Sequence, residues 1–126
     1  MSVDLSGFTA LSERLAAKGK VGAEELILVI SGTFESLISI AERYDGDVLK
    51  FRGDALLILF RGEHHELRAC GAAADMQWLI EHAGTARSSV GEVRLRMATG
   101  IYSGICDFFI VGSTHRELLV TGPAAT

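Results

Sequence analysis

The sequence is short of the features that divide or anchor a chain. It has a single proline, no internal repeat and no low-complexity linker, so its 126 residues suit one domain, 1–126. Cysteine is scarce. Cys70 falls in a helical pattern and Cys106 in a strand-like one, without metal-ligand spacing. Both are expected to be reduced, buried packing residues of a cytoplasmic protein. No apolar run reaches the ~18 residues that suggest a membrane span. The N-terminus lacks a basic region followed by a hydrophobic segment, which argues against a secretory signal. Positive charge is in deficit, 12 Lys and Arg against 16 Asp and Glu, for a net charge of -4. That balance argues against general nucleic-acid binding, which usually shows a basic face. It leaves room for a small anionic ligand at a local site.

Apolar residues are plentiful, at 48%. A globule of this size removes roughly two-thirds of its unfolded surface from water, so one core is expected. Residues 2–5 read as the end of a strand, followed by a turn at Ser6–Thr9 and a short helix over about 9–18. Residues 22–44 predict a long helix, with Leu26, Val29, Ile30, Phe34, Leu37, Ile38 and Ala41 on one face. Val48–Phe51 and Ala55–Phe60 read as strands joined by a tight hairpin through Arg52, Gly53 and Asp54. A third helix is expected over 65–83, burying Leu67, Cys70, Ala74, Met76, Leu79 and Ile80, with Trp78 as packing. Residues 82–92, rich in small and polar side chains, read as a mobile loop. Strands follow over 93–103, 105–111 and 118–121. The order predicts an α+β, ferredoxin-like sandwich with helices on one face of a mainly antiparallel sheet.

Two carboxylates raise a chemical question. Asp4 ends a strand before a glycine-containing turn, and Asp54 sits at a hairpin tip. If those strands are neighbours, the carboxylates meet at one rim of the sheet. Converging carboxylates repel unless one takes a proton or both share a cation. Magnesium-like ions take oxygen ligands and leave positions for phosphate oxygens. The amides of Gly7, Phe8 and Thr9, at a helix N-terminus, would form an anion site beside them. The competing reading is local: Asp is common at strand ends and turns for its own hydrogen bonds. Adjacent His64 and His65 point apart and have no third ligand nearby, so a solvated loop fits them better than a metal site. Glu24 and Glu25 read as first-turn acids of the long helix.

The stretches Val3-Asp4-Leu5-Ser6-Gly7-Phe8-Thr9 and Lys50-Phe51-Arg52-Gly53-Asp54 resemble the two metal-site motifs of class III nucleotidyl cyclases. Ser2 stands where the family has an aromatic residue, and Arg52 where it has a small or apolar one. Residues 96–104 and 115–124 resemble later blocks, so the likeness covers nearly the whole chain. It is nearest in flavour to the soluble, bicarbonate-responsive adenylyl cyclase type. The resemblance implies attack of the ribose 3′-oxygen of ATP, or GTP, on the α-phosphorus, with release of pyrophosphate. It implies that Asp4, the Leu5 carbonyl and Asp54 hold two Mg²⁺ or Mn²⁺ ions, with Asp4 and Asp54 catalytic. Gly7, Phe8 and Thr9 would hold phosphate. Lys50, Leu119 and Val120 would lie at the base.

The pattern also departs from the family. Leu119 stands where adenylate-specific forms often carry Asp, and leucine accepts no hydrogen bond from an adenine amino group. The family's transition-state Asn falls at Thr126, and its Arg beyond that. The resemblance thus implies a metal-bearing half, an incomplete domain completed by a second cyclase domain in a homodimer or heterodimer. The alternative is a catalytically incomplete regulatory or partner module that binds metal, nucleotide or a small anion.

Overall fold

The computed structural model describes residues 1–52, 55–89, 91–111 and 117–121, with backbone alone at 51, 52, 109 and 117–121. Its elements are β1 (Ser2–Ser6), α1 (Phe8–Ala16), α2 (Lys20–Arg43), β2 (Asp47–Arg52), β3 (Ala55–Leu59), α3 (His65–Ala83), β4 (Thr85–Ser88), β5 (Gly91–Arg94), β6 (Arg96–Gly100), β7 (Asp107–Val111) and β8 (Glu117–Thr121). The main sheet has the order β2-β3-β1-β6, and each neighbouring pair is antiparallel. The fold is the expected α+β arrangement. β1 lies inside the sheet between β3 and β6, which places the Asp4 motif at its centre.

Strand periodicity sorts the side chains. Along β1, Val3 and Leu5 are buried while Ser2, Asp4 and Ser6 are exposed. Along β3, Leu56 and Ile58 are buried while Ala55, Leu57 and Leu59 are half-buried. The buried set joins Leu11 and Leu15 of α1, Phe34 and Leu37 of α2, and Met76 and Ile80 of α3 in one core. Helices therefore cover one face of the sheet. At the α1–α2 corner the chain passes so closely that a side chain at Gly22 would collide with the Leu15 carbonyl, 1.8 Å from a Cβ there. Tyr44 ends α2 and donates a 2.6 Å hydrogen bond to Asp75 Oδ2 on α3. Arg68 of α3 donates to the carbonyls of Tyr44, Glu63 and Arg61, tying the α2–β2 turn to the β3–α3 connection.

Several sequence expectations are corrected. The stretch 82–92 is not a loop: β4 and β5 pair antiparallel, with Arg87 opposite Glu92 and their side chains 3.2 Å apart. Its small residues concealed strands too short to show alternation. The expected strand over 93–103 breaks at buried Leu95 into β5 and β6. On α3 the core seam is Ala69, Ala72, Met76 and Ile80, whereas Leu67, Cys70 and Ala74 face solvent. Alanine supplies the close approach, so following the large residues rotated the predicted face. Trp78 is 61% exposed and stacks on His82, with ring centroids 4.3 Å apart, instead of packing inward. Both cysteines are free thiols, but Cys70 is exposed and Cys106 only half-buried. Because α2 starts at Lys20, its first turn holds no acid, and Glu25 serves another purpose described below.

Candidate active site

Asp4 projects from the uncovered face of the sheet. Among the described residues it has no hydrogen bond or ion pair. Across the sheet, Asp4 pairs with Ala55 of β3 on one side and Ala98 of β6 on the other. Both neighbours are small, so neither of these two side chains shields the carboxylate or competes for it. The β1–β3 pairing runs as far as Asp4 and Ala55 among the described residues, whereas β1–β6 pairing continues through Leu5 and Ser6.

The chain then turns sharply at Gly7, whose φ of 107° lies in the left-handed region. A Cβ at this position would meet the Arg94 carbonyl oxygen at 2.7 Å, so both conformation and space require glycine. The turn launches α1 from Phe8. No side chain caps that helix, which leaves the first-turn amides of Phe8 and Thr9 without a side-chain acceptor. Phe8 is itself buried and fixes the entry of the helix, while Thr9 is exposed. A bare carboxylate and an uncapped helix start thus stand three residues apart on β1 and α1.

Lys50 lies on β2, half-buried, and engaged by a neighbour. It pairs with Leu57, and Leu57 pairs with Ser2. Lys50 therefore sits two strands across and one same-face row along from Asp4, offsets of about 10 Å and about 7 Å. A β-bulge between Val48 and Lys50 sets that register. Gly53 and Asp54 lie outside the described residues. Leu119 and Val120 lie on β8, opposite Phe109 and Phe108 of β7, in a two-stranded sheet separate from the main one. Their side chains, and Thr126, also lie outside the described residues. The structure thus brings Asp4, Leu5, Gly7, Phe8, Thr9 and Lys50 onto one region, and does not pair Leu119 or Val120 with it. Among the described residues no three His, Cys, Asp or Glu side chains gather as a metal cluster. No helix among them is long and apolar enough to cross a membrane.

Two polar clusters carried no sequence signal, because their members are distant in the chain. Glu25 of α2 accepts hydrogen bonds from the backbone N–H and hydroxyl of Ser89 at 2.6 and 2.7 Å, and Lys18 donates to the same hydroxyl at 2.6 Å. The Ser89 amide, then its hydroxyl, holds the Glu25 carboxyl below its ordinary range. His65 reaches across to Ser103 at 2.8 Å.

No protein-family model matches the chain. Human adenylate cyclase type 10 (Homo sapiens) is 31% identical over 129 residues, spanning 98% of this chain and 8% of that protein. Its rabbit counterpart (Oryctolagus cuniculus) is 32% identical, again over 98% of this chain and 8% of the protein. The chain therefore spans less than a tenth of these curated relatives. Among solved structures, the guanylyl cyclase Cya2 superposes with a TM-score of 0.75 at 26% identity, covering 98% of this chain and 62% of that one. By sequence over nearly its whole length and by fold, the chain is a relative of the class III adenylyl and guanylyl cyclase catalytic domains.

Proposed function

We propose that this chain is the metal-bearing half of a nucleotidyl cyclase site, which converts ATP to 3′,5′-cyclic AMP and pyrophosphate at an interface with a second cyclase domain in the cytoplasm. The observation that carries the reading is the exposed Asp4 carboxylate beside the uncapped start of α1 at Gly7. Hard cations and phosphate oxygens need those two kinds of group side by side.

The residues fit a divalent-metal site by their chemistry. Asp4 offers an oxygen ligand with no competing partner among the described residues. Asp4 pairs with Ala55, and Asp54 is bonded directly to Ala55, so the second carboxylate belongs to the adjoining step of the chain. With the Leu5 carbonyl these would hold the metals. Two such ions, Mg²⁺ or Mn²⁺, would activate the ribose 3′-hydroxyl and offset charge at the α-phosphate. The Gly7–Thr9 amides would bind the triphosphate. Gly7 lets that loop turn tightly against the Arg94 carbonyl, where no Cβ fits. Lys50, one row along, would orient the base.

No group described here donates to the ribose or the α-phosphate, and the uncovered face of β3 offers half-buried Ala55, Leu57 and Leu59. A second domain laid on that face would cover them and bring the missing donors. One observation favours the alternative, a regulatory half that binds metal and nucleotide without turnover: the chain has Leu119 where the resemblance would put a base-reading residue.

The test is calorimetry of Mn²⁺ with a non-cyclisable ATP analogue, alongside cyclic AMP production. The unmodified chain should bind the pair, and Asp4→Ala and Asp54→Ala should each abolish metal-dependent binding. Unchanged binding in both variants would remove the site assignment. The chain alone should turn over poorly, since each absent charge-stabilising donor costs ~10²–10³ in rate. Strong activity of a chain that sediments as a monomer would overturn the shared site.

A further inference from the structure

At the other end of β3 from Asp4 lies a cavity of about 290 Å³. Its walls include Met1, Leu57, Leu59, Phe60, Ile101 and Phe108. Leu59 lies four positions along β3 from Ala55, the partner of Asp4, a displacement of about 13 Å along the strand. The cavity thus extends away from Asp4, and it reaches toward the proposed base position through Leu57, the partner of Lys50.

Its mouth is polar, and one corner of it sets a single hydroxyl between two acceptors. His65, the first residue of α3, has Nδ1 3.0 Å from the Gly62 carbonyl, which only accepts, so Nδ1 carries the hydrogen. In the neutral ring Nε2 is then an acceptor, and Ser103 Oγ lies 2.8 Å from it. The same Ser103 oxygen lies 3.3 Å from Glu66 Oε1. One hydroxyl hydrogen faces two acceptors, and Ser103 can serve only one of them. A guest that supplied a second O–H would complete the set. Arg61 and Glu66 both border the cavity, so its charge favours neither an anion nor a cation. An ionic guest would also lose its hydration against an apolar wall.

We propose that this cavity binds a small neutral molecule with an apolar body and one hydroxyl, the hydroxyl donating to Glu66 or His65 at the mouth. A cavity of about 150 Å³ lined by aliphatic residues accommodates benzene. A volume near twice that suits a body of roughly ten carbon atoms. The inference uses none of the residues assigned to metal or nucleotide, although Leu57 and Leu59 also belong to the β3 face on which a second domain would sit. Ser103 joins the irregular stretch between β6 and β7 to the start of α3, so the contact also closes the cavity's rim.

The test uses 2-naphthol, naphthalene and 2-naphthoate as probes of one shape, titrated into the intact chain with fluorescence and calorimetric readouts. 2-Naphthol should bind about tenfold more tightly than naphthalene, the ratio expected for a hydrogen bond to a charged acceptor. 2-Naphthoate should bind most weakly, because its carboxylate would lose hydration against an apolar wall. Leu59→Trp, which fills the cavity, should abolish binding of all three. Ile101→Trp, on the irregular wall, repeats the test without touching the sheet, with circular dichroism confirming that each variant folds. Glu66→Gln should reduce the preference for 2-naphthol over naphthalene. The proposal is overturned if 2-naphthol does not bind, if both filled variants fold and bind it as well as the unmodified chain, or if 2-naphthoate binds as tightly as 2-naphthol.

Discussion

The two faces of the main sheet are made from the same strands, yet one is sealed by helices and the other is, among the described residues, only partly covered. On the covered side Val3, Leu5, Leu56 and Ile58 are almost fully buried against Phe34, Leu37 and Met76. On the open side the alternate residues are Ser2, Asp4 and Ser6 on β1 and half-buried Ala55, Leu57 and Leu59 on β3. The difference separates two duties. The covered face holds the fold together, because each side chain there loses all its water. The open face contributes less stability and is free to carry a carboxylate that no neighbour among the described residues satisfies. A strand whose two faces did the same work could not place Asp4 in the centre of a sheet and still leave it available.

The largest expected effects test that division directly. Leu37→Ala removes a fully buried side chain and should cost about 2–5 kcal/mol, measured by urea unfolding. Leu57→Ala, on the half-buried face, should cost less than half as much if the face is open in solution. Equal losses would mean that something already covers it, and would turn attention to self-association at the concentration used.

A smaller effect is expected where the two faces meet the turn. Gly7→Ala must place a side chain at a φ of 107° and against the Arg94 carbonyl. The strain is of order 1–3 kcal/mol. The same substitution should weaken binding of Mn²⁺ with an ATP analogue, since it distorts the amides that would hold phosphate. A loss of stability with unchanged nucleotide binding would confine Gly7 to a structural role.

Smaller again is the contribution of Arg68, whose guanidinium serves carbonyls of Tyr44, Glu63 and Arg61. Arg68→Ala leaves those acceptors to solvent and should cost about 1–2 kcal/mol. Arg68→Lys should recover little, because an ammonium cannot span the same fork of acceptors. Full rescue by lysine would show that charge alone matters there.

Element types were largely legible because period and length coincide in this chain. The Phe34, Leu37 and Ala41 face of α2 and the alternation in β1 both follow from single-residue patterns. The Asp4 motif was legible because a carboxylate, a required glycine and a helix start lie within six residues. What stayed hidden depends on distance or on small residues. The alanine seam of α3 looks weaker than Leu67 and Trp78 until α2 and the sheet are in place. The β4–β5 hairpin gains its order from pairing with itself and from Glu25, far away in sequence. The mouth formed by His65, Glu66 and Ser103 spans two segments that nothing in composition connects.

The smallest prediction concerns the tether between α2 and that hairpin. Glu25 accepts from the Ser89 amide and hydroxyl, and Lys18 donates to the same hydroxyl. The amide, then the hydroxyl, favours the charged carboxylate and lowers its pKa in the folded chain, with burial opposing weakly. As pH falls, the unfolded chain takes up this proton first. The tether's contribution is therefore complete above the ordinary glutamate pKa of about 4.3 and fades as pH drops through the lower folded value. The site is exposed, so the effect should be modest and weaker in salt. Glu25→Gln should flatten the part of the stability profile that falls below about pH 4.3. Ser89→Ala removes only the hydroxyl and keeps the backbone donor, which is the larger cause, so most of the depression should survive. The check is a carboxyl-detected NMR titration of Glu25 in both backgrounds. A Glu25 that titrates at its ordinary value in the unmodified chain would mean that the hairpin is not tethered in solution, and the open and covered faces would then have to hold without it.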